Sequence, residues 1–272
     1  MFIIRQNTKD GFVYKGAKKS DLERIKKLRI PPMWTTVKID PSPNAKIQVT
    51  GYDSKGRKQY IYNQEWTDKT KVKKFKKMKN FDYENYSRVI NNFISKNDLS
   101  RDCVIANVIK LMEDLNIRVG NESYKKENGS YGITTLLKKH LTGNKLNFIG
   151  KKGIKHSKTI NNEKSMNFIR RVCKIKGPNL FYDCEGKSVS SNDLNQFLKD
   201  KIKSDVTCKD IRTYCANKIF INFMKKIKPG KTENERKKQL LEGIDYTAEQ
   251  LGNTRKICRD SYLSPDNINK FK

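Results

Sequence analysis

The chain has 272 residues, enough for one large domain or two smaller ones, and its 35% apolar content with 12 Phe and 12 Tyr can build a core, which excludes a disordered tail. Its 59 Lys and Arg against 29 Asp and Glu leave a formal charge of +30, a field that repels itself and favours a polyanion. Nucleic acid is the leading partner and an anionic membrane surface the weaker one; the longest apolar runs, such as CVIANVI at 103–109, fall far short of the roughly 20 residues a membrane span needs.

Taken in chain order, the first 66 or so residues read as a β-rich unit. FII (2–4), GFVY (11–14), TVKI (36–39), IQVTGY (47–52) and KQYIY (58–62) are short β-prone runs, and DSKG (53–56) turns the last two into a hairpin. The opening MFIIRQNTKD has no extended apolar region, so no secretory leader is expected. Ser20 to Glu23 has the form of a capping box opening a short helix, which Pro31-Pro32 stops. TDKTKVKKFKKMKN (67–80), with seven lysines, reads as a solvated linker that could also lie along a phosphate backbone.

From Phe81 onward the pattern is helical, with apolar residues three and four apart in 85–96 and 101–116. YGITTLL (131–137), KLNFIG (145–150) and KHSKTI (155–160) predict a small antiparallel sheet. Helices are expected again near 163–174, 190–203, 207–227, 233–242 and 247–251, with Pro229-Gly230 as a break. Thr207 and Asp210 can cap the third of these, whose apolar stripe is Ile211, Cys215, Ile219 and Phe223, with Arg212 at its border. Six cysteines at 103, 173, 184, 208, 215 and 258 form no CxxC pair, and His140 and His156 are the only histidines. That supports no metal site and fits free thiols in a reducing intracellular compartment.

Four segments of the helical part carry the chemistry: RVGNESYKKENGSYGITTL (118–136), FIGKKGIKHS (148–157), VTCKDIRTY (206–214) and LGNTRKICRDSYL (251–263). Singly, each basic residue in them fits an ordinary surface charge or phosphate contact, and Tyr262 fits a packing tyrosine before Pro265. As an ordered set they resemble type IB DNA topoisomerases, above all the compact bacterial and large-DNA-virus forms. The positions that match the family's motifs are Arg118 in RVGNESY, Lys151 in the GK hairpin, Arg212 in KDIRTY, Asn253 in LGNT and Tyr262 in CRDSYL. GYDSKGRKQYIY (51–62) matches the family's DNA-contacting hairpin, so the resemblance covers most of the chain.

The resemblance implies an α+β protein: a β-rich N-terminal DNA-clamping domain (1–66), the lysine-rich linker (67–80) and a mainly helical catalytic domain (81–272) of the topoisomerase IB/tyrosine recombinase type. It implies relaxation of supercoiled duplex DNA by reversible single-strand transesterification. Tyr262 is the nucleophile of a 3′-phosphotyrosyl intermediate and Lys151 the general acid to the 5′-oxygen. Arg118 and Arg212 hold the non-bridging oxygens, and Asn253, where many relatives have His, donates a further bond. The chemistry asks for these types. Guanidiniums stay charged and offer planar forks, one lost oxyanion donor costs about 3 kcal/mol, and leaving-group protonation is worth about 10²- to 10⁴-fold. Because the phosphotyrosine keeps the bond energy, neither ATP, a metal nor another small-molecule cofactor is implied, and the sequence has no GxxxxGK[ST] loop.

Gln59, Tyr60, Tyr62 and Tyr124 match DNA-facing positions of the family, although one of the hairpin tyrosines could equally pack under the sheet. Asn121 stands where vertebrate poxvirus relatives tend to have Lys, so their cleavage-site preference is not carried over. A monomer clamping double-stranded DNA, with no membrane association, is expected. The abundance of Lys, Asn and Ile fits an A/T-rich genome such as that of a large DNA virus, for which virion or viral replication site would be the location. Two alternatives stand beside this reading. A tyrosine site-specific recombinase shares the nucleophile but usually has HxxR where this chain has Lys209-Asp-Ile-Arg212. A non-enzymatic DNA-packaging protein would explain the charge but not the ordered motifs.

Overall fold

The computed structural model describes residues 1–271, and the chain divides into two compact units, one from Met1 to Lys74 and the other from Phe75 onward. The first is a five-stranded antiparallel sheet built from β1 (Ile3–Thr8), β2 (Gly11–Lys15), β3 (Thr35–Ile39), β4 (Ile47–Tyr52) and β5 (Lys58–Tyr62), in the order β2-β1-β3-β4-β5. Inward positions of alternate residues supply its core, Ile3, Val37, Ile39 and Val49, and Ile25 of helix α1 (Lys19–Lys27) covers them. The helix does not start at the expected Ser20 box. Lys18 is the cap, and Asp21, at the third helical position, takes the Lys18 N–H at 2.9 Å, so the shorter acid displaces Glu23 from the role.

The lysine-rich stretch is helical. Helix α2 (Gln64–Lys79) opens where the Asn63 side chain accepts from the Trp66 N–H at 3.1 Å. Near its end the Lys77 ammonium pairs with Asp210 at 3.1 Å and Asp205 at 3.3 Å, which gives one of the clustered charges a fixed partner.

The second unit is mainly helical. Helices α3 (Tyr83–Ser95) and α4 (Arg101–Asp114) pack together, and α4 is apolar on nearly every side because it is central, with every residue from Cys103 to Ile109 buried. The short helix α5 (Glu122–Asn128) follows, and then a three-stranded antiparallel sheet of β6 (Leu141–Thr142), β7 (Lys145–Ile149) and β8 (Lys155–Thr159). The segment 131–137, expected as a strand, is instead a short 3-10 turn at Ile133–Thr135. Its amides are spent sideways, with Ile133 and Thr134 donating to Arg118 O and Val119 O and Tyr131 to Ile149 O.

The remaining helices are α6 (Glu163–Val172), α7 (Ser191–Lys201), α8 (Cys208–Lys226), α9 (Glu233–Leu251), α10 (Arg255–Ser261) and α11 (Pro265–Asn269). The two helices expected across 233–251 are one, since Gly243 lies against Met224 and Phe220 and the helix runs through it. Helix α8, capped by Thr207 and Asp210 as expected, contributes Ile211 and Cys215 to one core cluster and Ala216, Phe220 and Met224 to another. Serving two cores, it has no solvent-facing border beside Ile211. Arg212 is therefore 5% exposed rather than marginal. All six cysteines are unpaired, and Cys103, Cys208, Cys215 and Cys258 are buried. Among the described residues no helix is long and apolar enough to cross a membrane.

Candidate active site

Arg118 is placed by its own motif. Gly132 lets the turn at 132–135 lie flat on the Arg118 segment: a Cβ there would sit 2.4 Å from Gly120 N and 2.6 Å from Arg118 O, both backbone atoms that cannot yield. The close approach lets Ile133 N donate to Arg118 O at 2.8 Å and Thr134 to Val119 O at 2.9 Å, fixing the backbone from which the guanidinium reaches out. Arg118 Nη2 then donates to Asn253 Oδ1 at 2.6 Å, joining two residues 135 apart in sequence.

Arg212 enters from the start of the second turn of α8. Its Nη atoms donate to Asn116 O, just before the Arg118 segment, and to Leu251 O at the end of α9. The guanidinium lies 5.6 Å over the Tyr262 ring. Asn253 follows the left-handed Gly252 that ends α9, and Thr254 caps α10, at whose other end Tyr262 sits. An ion pair between Arg255 and Asp245 ties α10 to α9. Arg118, Arg212, Asn253 and Tyr262 thus meet in one place.

The electrostatics follow from that meeting. Burial pushes the Tyr262 phenol up, but the charges of Arg212 and Arg118, with hydrogen bonds from Arg212 and Asn253, outweigh it and hold the phenol below its ordinary value. Arg212 and Asn253 thus turn donors toward Tyr262 from a buried and a partly buried position. Such donors beside a tyrosine hydroxyl suit a group with several acceptor oxygens and negative charge, as a phosphodiester has.

Lys151 is the exposed first residue of the turn joining β7 to β8, and it shares a crevice with Arg118, Arg212 and His156. Tyr124 is exposed on α5, whose N-terminus Asn121 caps by accepting from Ser123 N at 2.8 Å. The residue that departs from the poxvirus pattern is thus a helix cap. In the first unit, β5 turns Tyr60 and Tyr62 to its exposed face and Gln59 and Ile61 to the other, so neither tyrosine packs under the sheet. Gln59 does not join them. Its amide donates to Asp53 Oδ2 at 2.9 Å, as does Arg57 Nε, and the pair stiffens the hairpin turn.

Sequence reasoning missed Asn217, one turn beyond Thr213 on α8. Its Nδ2 donates to Tyr262 O at 2.8 Å, and its Oδ1 accepts from Ser264 N at 2.8 Å and Asn267 Nδ2 at 2.9 Å. One buried amide therefore pins the main chain at Tyr262 and just after it. The signal was a polar residue inside an otherwise buried helix. Among the described residues no group of three or more His, Cys, Asp or Glu is arranged to hold a metal ion.

The chain is similar to known proteins over most of its length. The family model for the catalytic core of eukaryotic DNA topoisomerase I matches residues 56–271, and that for the N-terminal domain of bacterial DNA topoisomerase IB matches residues 11–53. The DNA topoisomerase 1B of Acanthamoeba polyphaga mimivirus is 34% identical over 96% of this chain and 84% of its own. The DNA topoisomerase 1B of Vaccinia virus (strain Copenhagen) is 28% identical over 79% and 69%, and the DNA topoisomerase 1 of Rabbit fibroma virus 28% over 89% and 79%. Among solved structures, the XerA recombinase is similar at a TM-score of 0.44 and 11% identity, over 70% of this chain and 61% of that one, a likeness too slight to decide anything.

Proposed function

The chain belongs to the type IB DNA topoisomerase family, and we propose that Tyr262 is the nucleophile with which it cuts and reseals one strand of duplex DNA. The observation that carries this assignment is the convergence of Arg118, Arg212 and Asn253 on the Tyr262 hydroxyl. Tyr262 Oη attacks the phosphorus as its proton passes to solvent water. The bond from phosphorus to the 5′-oxygen breaks, and that oxygen takes a proton from Lys151. Arg118 and Arg212, with Asn253, stabilise the charge that gathers on the non-bridging oxygens. Reversal, with the 5′-hydroxyl attacking the phosphotyrosine, reseals the strand after rotation has released supercoils.

Tyr60, Tyr62 and Tyr124 face the duplex in this reading, supported by their exposure, while Gln59 acts through the hairpin turn it stiffens. The protein works as a monomer, and its six unpaired cysteines suit a reducing compartment. The test is relaxation of supercoiled plasmid in EDTA without nucleotide, with Tyr262→Phe alongside. Relaxation and a covalent adduct by the wild type, neither by the variant, and unchanged DNA binding are expected. An adduct with Tyr262→Phe would move the nucleophile elsewhere, and a strict need for Mg²⁺ or ATP would defeat the mechanism.

A further inference from the structure

Strand β8 turns His156 and Lys158, two residues apart, to its half-buried face, and both meet the end of α9. Lys158 Nζ donates to Gln250 O at 2.8 Å, the position where a helix C-terminus welcomes a cation. The His156 ring stacks on Phe148 with centroids 4.9 Å apart. It also lies against two glycines so closely that a Cβ would fall 2.6 Å from the ring at Gly150 and 2.4 Å from it at Gly252. Gly150 directly precedes Lys151, and Gly252 directly precedes Asn253. A single imidazole therefore fills the space between the turn that carries Lys151 and the turn that leads to Asn253 and Tyr262.

We propose that His156 and Lys158 are positioning residues, a clasp that sets Lys151 against the scissile phosphate by docking its hairpin onto the end of α9. The inference rests on Lys151 as the general acid. Lys151 is exposed on a turn with Lys152 in the left-handed region at φ 65°, and the local hydrogen bonds there, Gly150 N to Ile154 O and Gly153 N to Gly150 O, hold the turn to itself. What relates the turn to the nucleophile is the face of β8. Burial and the charges of Lys158, Arg118 and Arg212 hold His156 down to about 4, so the ring is neutral at working pH and acts as a spacer without adding charge.

The clasp makes a prediction that a general loss of structure does not. Two duplexes are compared, one with oxygen and one with sulfur in the 5′-bridging position of the bond the wild type cuts. With sulfur, the phosphorus–sulfur bond breaks and the thiolate departs without needing a proton. His156→Ala and Lys158→Met are expected to slow single-turnover adduct formation at least about tenfold on the oxygen duplex, within the ~10²- to 10⁴-fold that leaving-group protonation supplies. On the sulfur duplex both should come within about threefold of wild type, and Lys151→Ala should behave likewise. Equal slowing on both duplexes, or no slowing on oxygen, overturns the clasp. A wild type that forms no adduct, or a Lys151→Ala slowed equally on both, overturns the assignment of the reaction instead. Melting temperature and DNA binding check each fold, and should His156→Ala not fold, Lys158→Met decides by the same two rates.

Discussion

Asn217→Ala removes the amide that holds the chain at Tyr262 and in the segment that follows it. In the wild type the residue is 8% exposed and its amide serves Tyr262 O, Ser264 N and Asn267 Nδ2 at 2.8, 2.8 and 2.9 Å. Alanine leaves these three groups without the amide, and a hydrogen bond of this kind is worth about 1 kcal/mol net. The loss therefore comes to about 3 kcal/mol of docking for the segment that carries Tyr262. If all of it appears in the transition state, at about 1.4 kcal/mol per factor of ten, adduct formation slows by roughly 100-fold. The assay is single-turnover formation of the covalent adduct, beside DNA binding and thermal unfolding. Binding should be unchanged, because none of the three groups belongs to the proposed DNA-facing set. An adduct rate within about threefold of wild type, with the tail still docked, would refute the idea that Asn217 places Tyr262.

Three further outcomes are expected. Arg212→Lys should cut adduct formation by about 10²-fold or more with little change in DNA affinity, since one ammonium cannot serve Asn116 O, Leu251 O and a phosphate together; near-wild-type turnover would count against it. Gly132→Ala should cost about 1–3 kcal/mol in denaturant unfolding, because the methyl meets backbone at 2.4–2.6 Å, and an unchanged midpoint would mean the two segments can part. Arg212 and Arg118 hold the Tyr262 phenol below its ordinary value, so the reactive phenolate gains population as pH rises and the rate should level off below pH 10; Arg118→Ala removes one of those charges and should move the inflection upward. An inflection at the same pH in both proteins would show that Arg118 does not act on Tyr262 through its charge.

How far the sequence reveals this protein depends on how local each cause is. Strands β4 and β5 fall on the residues that β-propensity and the DSKG turn pick out, since a hairpin is decided by neighbours. Thr207 and Asp210 cap α8 for the same reason. Segment 131–137 misleads because its β-branched run suits extended backbone, while its hydrogen bonds go to Arg118, Val119 and Ile149, distant partners that no local pattern reveals. Arg212 looked marginal because the stripe was drawn for a helix with one apolar face, whereas α8 serves two cores. The motifs put Arg118, Arg212, Asn253 and Tyr262 in order, but their meeting depends on contacts across 96 and 135 residues. Asn217 had no motif at all; only the fold of the tail onto α8 gives it work.

That tail has a consequence for how the protein is made. Leu263 is buried in the second helical core, and Ile268 and Phe271 pack against it, Phe271 edge-on to Phe220 at 5.8 Å. Tyr262 is therefore held in place by residues that follow it. At about 5–20 residues per second, the 59 residues from Arg212 to Phe271 take roughly 3–12 s to synthesise. Throughout that interval the nascent chain already carries most of its positive charge but lacks the segment that anchors its tyrosine. On the proposed assignment of Tyr262, the order of synthesis itself delays strand cutting until the tail has docked.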